Sequence, residues 1–387
     1  MLLPSLGTSI ANVALPSLAE AFDAPFQAVQ WVVLAYLLAT TALVVAAGRL
    51  GDLVGRKRLL LAGIALFVAA SWLGGAATSL AWLVAARVLQ GVGAAAMMAL
   101  TLAMVGAAVP KEKSGSAMGL LGTMSAVGTA LGPTLGGLLI GACGWPGIFR
   151  INLPLGLVAL ALAAWALPAD RPAPAERRAR FDHAGTLVLA LTLAAYALAM
   201  TLGRGQFGAG NLGLLALAAL GVALFVRIER RAAAPLIRLA ALREPALGRS
   251  LVAGLLVAAV MMATLVVGPF YLAGALGLAP VWVGLAMSAG PVVAALAGVP
   301  AGRLVDRFGA ARMGAAGLVG MLIGSAGLAA APLAWGVAGY VLPLVVLTAH
   351  YALFQAANNT GVMAGVPQDR RGVVSGLVNL ARNLGLI

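Results

Sequence analysis

The sequence is poor in charge, in cysteine and in histidine. Asp, Glu, Lys and Arg make up only 9% of its 387 residues, against about a quarter in an ordinary soluble domain, so a soluble globular protein is excluded. Cys143 is the single cysteine, which excludes an internal disulfide and a cysteine metal site, and two histidines are too few for a histidine cluster. We therefore expect no metal, no cofactor and no redox chemistry.

The sequence is rich in long apolar runs. Hydrophobic residues form 62% of the chain, and its mean hydropathy is +1.03. Because lipid offers backbone groups no hydrogen-bond partner, such unbroken runs indicate membrane-spanning helices. At about 20 apolar residues per crossing, the sequence predicts an all-α integral membrane protein. Its thirteen spans are placed near residues 1–17, 26–47, 59–77, 81–107, 115–141, 148–168, 184–203, 211–228, 250–273, 281–301, 312–331, 335–362 and 372–387.

The basic residues lie on one side of these spans. Of the 25 Lys and Arg residues, 21 fall in loops after the even-numbered spans, the other loops hold only Arg204, and Arg87, Arg150 and Arg382 lie inside or at the ends of spans. The positive-inside rule then places the even-numbered loops and the N-terminus in the cytoplasm. The net charge of +14 is thus a signal of topology, and nucleic acid is not expected as a partner.

An internal repeat relates two of the basic loops. The segments 48–63 and 302–317 match at eight of sixteen positions, and Gly115, Gly119 and Gly128 correspond to Gly372, Gly376 and Gly385. Spans 2 and 10, and spans 5 and 13, are therefore equivalent. Eight spans separate equivalent positions where a six-plus-six duplication gives six, so we interpret spans 7 and 8 as an insertion. Parallel repeats of this kind are typical of secondary transporters.

The loop after span 2 carries a signature that resembles the one between helices 2 and 3 of the major facilitator superfamily: Gly48, Leu50, Asp52, Gly55, Arg56 and Lys57. The resemblance covers the whole chain and is to the fourteen-helix drug/proton antiporter branch of EmrB/QacA type. It implies the major facilitator fold, with two pseudo-symmetric six-helix bundles plus two inserted helices. We expect an N-terminal bundle at 1–168, the inserted pair at 169–249, and a C-terminal bundle at 250–387 that is incomplete because the chain is clipped at both ends.

In this family the loop is a cytoplasmic latch that holds one alternating-access state. Asp52 can meet a helix N-terminus, and Arg56 and Lys57 can meet carbonyls or carboxylates. The copy keeps Gly302, Asp306 and Gly309, and we assign Gly302, Asp306 and Arg307 to the same latch. The competing interpretation is a basic loop that only sets topology.

Span 5 carries a second resemblance, to the family's antiporter motif, in Gly128, Gly132, Pro133, Gly136 and Gly137. Gly128, Gly132 and Gly136 recur every four residues and let another backbone approach closely, while Pro133 favours a kink. A tight helix contact without a role in antiport is the alternative.

Span 4 resembles the family's arginine motif, with Arg87, Gln90, Gly91 and Gly93. An arginine about two turns into an apolar helix is a functional candidate by default. We assign Arg87 to proton coupling or to the charge of the substrate. Snorkelling of Arg87 to the outer interface is the competing account.

The first span departs from the family pattern. Related antiporters carry an acidic residue where this chain has Gly7, and none of the 11 acidic residues falls in the middle of a span. His350 in span 12 is the only midspan side chain that titrates near physiological pH, and it is our candidate proton carrier. A packing histidine is the alternative.

Polar and aromatic residues in spans 1, 2, 4, 9 and 12 are candidates for a substrate cavity, with packing between helices as the alternative: Asn12, Gln30, Trp31, Tyr36, Gln90, Met97, Phe270, Tyr271, Gln355, Asn358 and Asn359.

The sequence thus predicts a monomeric multi-pass transporter of a bacterial inner membrane. It exports small amphipathic compounds in exchange for protons, or, as the alternative, exports a metabolite without proton coupling. An enzyme and a channel are disfavoured, because no catalytic cluster and no filter-like loop is visible.

Overall fold

A computed structural model describes residues 1–170, 182–201, 208–232, 235, 244–278, 280–367 and 370–385, and this part of the chain is helical without a strand. Its helices are α1 Leu2–Val13, α2 Leu15–Ala21, α3 Phe26–Val29, α4 Trp31–Val54, α5 Arg56–Gly75, α6 Leu80–Ala108, α7 Ser114–Cys143, α8 Gly147–Arg150, α9 Asn152–Ala166, α10 His183–Thr201, α11 Ala209–Arg231, α12 Pro245–Phe270, α13 Pro280–Phe308, α14 Ala310–Ala330, α15 Gly336–Ala364 and α16 Arg371–Gly385. The all-α membrane fold predicted from the sequence is confirmed.

Each predicted span lies on one of these helices or on two consecutive ones. Nine helices of the described ranges are long and apolar enough to cross a membrane, and two bent helix pairs raise the number to 11. One pair is α1 with α2, bent by 58°, and the other is the two parts of α7, bent by 41°. The remaining two of the thirteen predicted spans lie on α10 and on α16, which is 15 residues long and so shorter than a usual crossing.

Glycine, proline and serine set several helix boundaries. Gly55 between α4 and α5 has φ 110°, and Gly309 between α13 and α14 has φ 87°, a backbone conformation that favours glycine. Pro245 opens α12, where its missing N–H costs no hydrogen bond. Ser79 caps α6 by accepting a hydrogen bond from the Trp82 backbone N–H at 3.3 Å.

Following the repeat, we call α1–α9 the first half, α12–α16 the second half, and α10 with α11 the extra pair. The described helices pack within each half and also between the halves, where α7 packs on α13 and α4 on α16. In the first half, α1–α9, α6 packs against α4 and α5, and α1 packs against α7; in the second half, α12–α16, α15 packs against α13 and α14. Helices α10 and α11 pack on each other, and α10 also contacts α4. Apolar side chains of both halves share buried clusters, one with Val44 and Leu380 and one with Leu102 and Val378.

The ends of several helices meet at one end of the molecule, here called the basic end. Helices α4, α6, α13 and α15 finish there, and α5, α7, α14 and α16 begin there.

Seven of the basic residues considered above lie outside the described residues: Arg171, Arg177, Arg178, Arg180, Arg204, Arg238 and Arg243. The division into domains at 168 and 249 stays a prediction.

Candidate functional site

Asp52 joins the first half to the second at the basic end. Its side chain, near the end of α4, is only 2% exposed, and its carboxylate accepts the backbone N–H groups of Gly372 at 3.2 Å and Val373 at 3.3 Å. These groups open α16 and have no partner inside the helix, and the positive helix end favours a carboxylate. Arg56 donates to the same carboxylate from Nε at 3.1 Å and from Nη2 at 2.9 Å. We call this contact the Asp52 cap.

Asp306 makes the equivalent contact in the opposite direction. Near the end of α13, its carboxylate accepts the backbone N–H groups of Gly115 at 2.6 Å and Ser116 at 2.8 Å, together with the Ser116 hydroxyl. Ala310 stands where the repeat has Arg56 in its first copy. We call this contact the Asp306 cap. Arg307, predicted as part of it, is exposed and lies over the Phe308 ring at 5.1 Å.

Glycines bring the two halves together beside each cap. A methyl group at Gly48 would overlap the Gly372 carbonyl oxygen, and one at Gly119 would overlap the Gly298 carbonyl oxygen. The halves therefore meet backbone to backbone along two seams, α4 with α16 and α7 with α13. Such approaches need glycine because any larger residue would separate the helices. Gly302, also predicted, lies in the second seam, where a methyl group would overlap the Gly115 carbonyl.

Asp170 holds the turn that carries the Asp52 cap. Following α9, its carboxylate accepts the backbone N–H groups of Lys57 and Arg58, each at 2.9 Å, at the start of α5. The Lys57 ammonium donates back to the carbonyls of Ala164 at 2.8 Å and Leu167 at 2.6 Å, at the end of α9. The α4–α5 turn is thus tied to its own half on both sides.

The antiporter motif contacts α1. Methyl groups at Gly128 and Gly132 would overlap backbone or side-chain atoms of α1, and one at Gly136 would meet the Ile10 side chain at 3.0 Å. A methyl group at Gly137 would meet no described atom of another helix within 4 Å. The 41° bend of α7 separates Ser114–Gly132 from Leu135–Cys143, so Pro133 lies at the bend. The glycine row is therefore a helix contact within the first half.

Arg87 is buried inside the first half. It is 1% exposed, its Nε donates to the Val32 carbonyl at 2.7 Å, and its Nη1 donates to the Gln90 side-chain oxygen. The guanidinium lies 4.2 Å from the centre of the Tyr36 ring. Gln90 continues the network by donating to the Ser71 hydroxyl at 2.8 Å. This burial rules out the snorkelling account and ties α4, α5 and α6 together.

His350 lies on the face of α15 that packs against α14. Its Nδ1 donates to the Val346 carbonyl at 2.8 Å, and its ring lies so close to Gly320 that a methyl group there would overlap it. Leu347 and Phe354 of the same face meet Gly324 and Gly317 in the same way. The contacts shown are those of a packing residue, and they place the imidazole against α14.

The other predicted cavity residues occupy different environments. Tyr36 donates from its hydroxyl to the Pro4 carbonyl at 2.8 Å, Met97 is buried in the first-half core, Asn12 is exposed, and Gln30 and Trp31 are half-buried. Tyr271 stacks on Tyr340 at 6.1 Å. The side chain of Phe270 lies outside the described residues.

On α15, Gln355 donates to the Tyr351 hydroxyl at 3.1 Å and Asn358 donates to the Ser250 carbonyl at 3.4 Å. The Oδ1 atom of Asn359 is buried and has no hydrogen-bond partner among the described residues. The structure therefore gathers Tyr36, Gln90 and Arg87 in one network and places the α15 amides in the second half.

Sequence reasoning missed a polar row on α16. Ser375, Asn379 and Asn383 are buried; the Ser375 hydroxyl donates to the Ala99 carbonyl, and the Asn383 amide donates to the Thr41 hydroxyl at 3.3 Å. The signal was present, since the three residues recur every four positions in an apolar span. Asp170 was missed because a single acidic residue after a span carries no such signal.

The whole chain, residues 1–387, matches the model of the family described as Major Facilitator Superfamily. It is 32% identical over 385 residues to the "Uncharacterized transporter YebQ" of Escherichia coli, covering 98% of this chain and 83% of that protein. Its identity is 31% to the "Riboflavin transporter RibZ" of Clostridioides difficile and 33% to the "Multidrug resistance protein Stp" of Mycobacterium tuberculosis. It covers 82% and 71% of those two relatives, and each match covers 98% of this chain.

Solved structures show the same fold. The chain aligns with the proton:xylose symporter XylE with a TM-score of 0.68 at 17% identity, covering 100% of this chain and 84% of that one. It aligns with the human organic anion transporter MFSD10 with a TM-score of 0.67 at 16% identity, covering 100% and 89%. At these identities the likeness is one of fold.

Proposed function

Because the chain belongs to the major facilitator superfamily, we propose that this multi-pass membrane protein exports small amphipathic compounds by alternating access. Its relatives include a multidrug resistance protein and a riboflavin transporter. The one-sided distribution of Lys and Arg supports a cytoplasmic N-terminus in a bacterial inner membrane. On this proposal the chain works as a monomer.

The observation that carries the proposal is the pair of caps. The Asp52 cap and the Asp306 cap join opposite helices of the two halves at the same end of the molecule. Further along α7, the glycine contacts pass from α13 to α1, within the first half. When the two halves are joined at the basic end, the space between them can open at the opposite end. Breaking both caps would let the basic end open and the opposite end close.

We further propose that export is exchanged for protons, with Arg87 and His350 in the coupling. The resemblance of α7 to an antiporter motif supports this assignment. The alternative is export without proton coupling, and one observation favours it. No acidic residue lies in the middle of a span, and an exchanger needs a titratable group whose charge changes with conformation.

The test is efflux of riboflavin and of an amphipathic dye from energised vesicles with and without a pH gradient. Proton exchange predicts efflux that is faster with the gradient. Efflux that is indifferent to the gradient would eliminate proton exchange and leave the uncoupled exporter. No movement of any probe above that of empty vesicles would overturn the transport proposal.

A variant tests His350 as the carrier. His350→Gln keeps the size of the ring site but cannot titrate, so we expect it to lose the response to the pH gradient. His183→Gln is the matched control, since His183 begins α10 in the extra pair. A His350→Gln protein that keeps proton-coupled transport would remove His350 from the mechanism.

A further inference from the structure

Arg382 is a second arginine at membrane depth. It lies eleven residues after Arg371 in α16, which at 1.5 Å per residue is about 16 Å from the basic end. The hydrocarbon core of a bilayer is about 30 Å thick, so Arg382 lies near its middle. A charge at this depth is costly unless it faces the bundle interior or a wet cavity.

The contacts of α16 show which way Arg382 faces. Seven residues separate Ser375 from Arg382, so the two share a helix face. Ser375 donates to the Ala99 carbonyl of α6, and Val378, one turn before Arg382, packs in a cluster with Leu102 of α6 and Met363 of α15. Arg382 therefore lies on the face of α16 that meets α6, α12 and α15, at the boundary of the two halves.

Two asparagines of α15 lie at the same depth. Asn359 lies one turn from Met363 in α15, and Arg382 lies one turn from Val378 in α16. Because the two helices run in opposite directions, both turns lead away from the basic end. Asn358 and Asn359 are half-buried. The Nε–H group of Arg382 is a buried donor without a hydrogen-bond partner in the described ranges, and the Oδ1 atom of Asn359 is a buried acceptor without one. The groups of these asparagines that can donate to an anion are the Nδ2 amino groups.

Arg87, which is buried, and Arg382, which is half-buried, differ in how their charge is met. Arg87 is held by the Val32 carbonyl, the Gln90 side-chain oxygen and the Tyr36 ring, and only its Nη2 atom is buried without a partner in the described ranges. No hydrogen bond or ion pair joins Arg382 to another described residue. The guanidinium fork suits a planar oxyanion, which it binds through two parallel hydrogen bonds.

We propose that Arg382, with the side-chain amides of Asn358 and Asn359, binds the carboxylate or sulfonate group of the transported compound. The inference rests on the proposed transport function and narrows its substrates to amphipathic organic anions with a single acidic group. One arginine matches one negative charge.

The experiment uses the full chain purified in detergent and reconstituted in liposomes, with three aromatic probes of similar size. They are 1-naphthalenesulfonate, neutral 1-naphthalenesulfonamide and cationic N-methylquinolinium. Binding is measured by equilibrium dialysis and movement by uptake into the liposomes. We expect the sulfonate to bind and to be moved, and Arg382→Gln to weaken its binding roughly 10- to 100-fold, as expected for loss of a hydrogen bond to a charged group.

Two further variants distinguish the loss of the binding site from a failure of the protein to fold. Arg249→Gln removes an exposed arginine at the basic end and is expected to bind the sulfonate as the unaltered chain does. Asn359→Asp keeps Arg382 but supplies it with a carboxylate, so sulfonate binding is expected to fall while the neutral probe is unaffected.

Each outcome separates the two proposals. Sulfonate binding that is equally tight in Arg382→Gln and in the unaltered chain would overturn the site. So would an unaltered chain that moves N-methylquinolinium but neither binds nor moves the sulfonate, although transport itself would stand. If none of the probes moves but Arg382→Gln still abolishes sulfonate binding, the site stands and the transport proposal fails for these compounds.

Discussion

The Asp52 cap and the Asp306 cap both join the two halves at the basic end, but they differ in their hydrogen bonds. In both, a carboxylate at the end of one helix meets the N-terminus of a helix from the other half. Asp52 has longer backbone contacts, at 3.2 and 3.3 Å, and is joined by Arg56. Asp306 has shorter ones, at 2.6 and 2.8 Å, and is joined by the Ser116 hydroxyl.

The comparison shows which part of the repeat has been kept. The carboxylate and the glycines beside it occur in both copies, whereas Arg56 is replaced by Ala310 and Ser116 corresponds to Val373. Each cap therefore has one accessory group, an arginine in the first and a hydroxyl in the second. The shared contact is the helix end, which favours an anion in any sequence, and the accessory group can vary because it only completes the hydrogen bonds of the carboxylate.

The largest expected effect comes from filling a seam. Gly119→Ala places a methyl group on the Gly298 carbonyl, and overpacking of this kind costs about 1–3 kcal/mol. We expect the α7–α13 seam to open while the α4–α16 seam is less affected. With Cys143 replaced by Ser, distances between spin labels at Glu112→Cys and Arg303→Cys would measure the opening.

Gly122→Ala is the matched control for this prediction. It lies on the same helix, one turn from Gly119, and a methyl group there has no neighbour within 4 Å. We expect label distances like those of the unaltered chain. If Gly119→Ala gave the same label distances as Gly122→Ala, the α7–α13 seam would accommodate the methyl group without separating, contrary to the prediction.

The second effect comes from neutralising the carboxylates. Asp306→Asn removes the charge that accepts three short contacts, so we expect it to open its seam more than Asp52→Asn, whose backbone contacts are longer. Asn keeps one acceptor oxygen, so the contacts are weakened from charged to neutral hydrogen bonds, a loss of about 1 kcal/mol for each contact that survives. The measurement is the same label pair for Asp306, and Arg58→Cys with Arg370→Cys for Asp52. Equal opening at both seams would mean that the bond lengths do not set the strength of the caps.

The smallest effect concerns the accessory groups, and salt distinguishes them. Arg56 acts by charge and its side chain is 15% exposed, so the opening caused by Arg56→Gln should shrink as ionic strength rises, because salt screens the contribution that the variant lacks. Ser116→Ala removes one hydrogen bond, about 1 kcal/mol, with little dependence on salt. A salt response of the same size in both variants would contradict this assignment.

Much of the fold could be predicted because apolar length is a local property. Each predicted span lies on helical residues, and the ends differ where the polar loop residues Asp52 and Arg56 continue or begin helices. The sequence also indicated that Asp52 meets a helix N-terminus. Which helix it meets could not be predicted, because the choice of α16 depends on how the halves dock.

The candidate site was harder to predict because sequence does not tell which face of a span points inward. Arg87 could have snorkelled outward, and only the contacts with Val32 and Tyr36 place it inside the first half. His350 was proposed from its chemistry, and the structure places it against Gly320 of α14. Arg382 was passed over because its depth and neighbours become visible only when α15 and α16 are side by side.

Asp170 affects how fast the two halves meet again at the basic end after they have separated. Its two 2.9 Å contacts hold the start of α5, and these partners, Lys57 and Arg58, belong to the first half. When the halves part, the turn that presents Asp52 keeps these bonds and with them its shape. A preorganised turn has little conformational entropy to lose when the halves meet again. The rate of closing is then set by the movement of whole halves and not by the ordering of a loop.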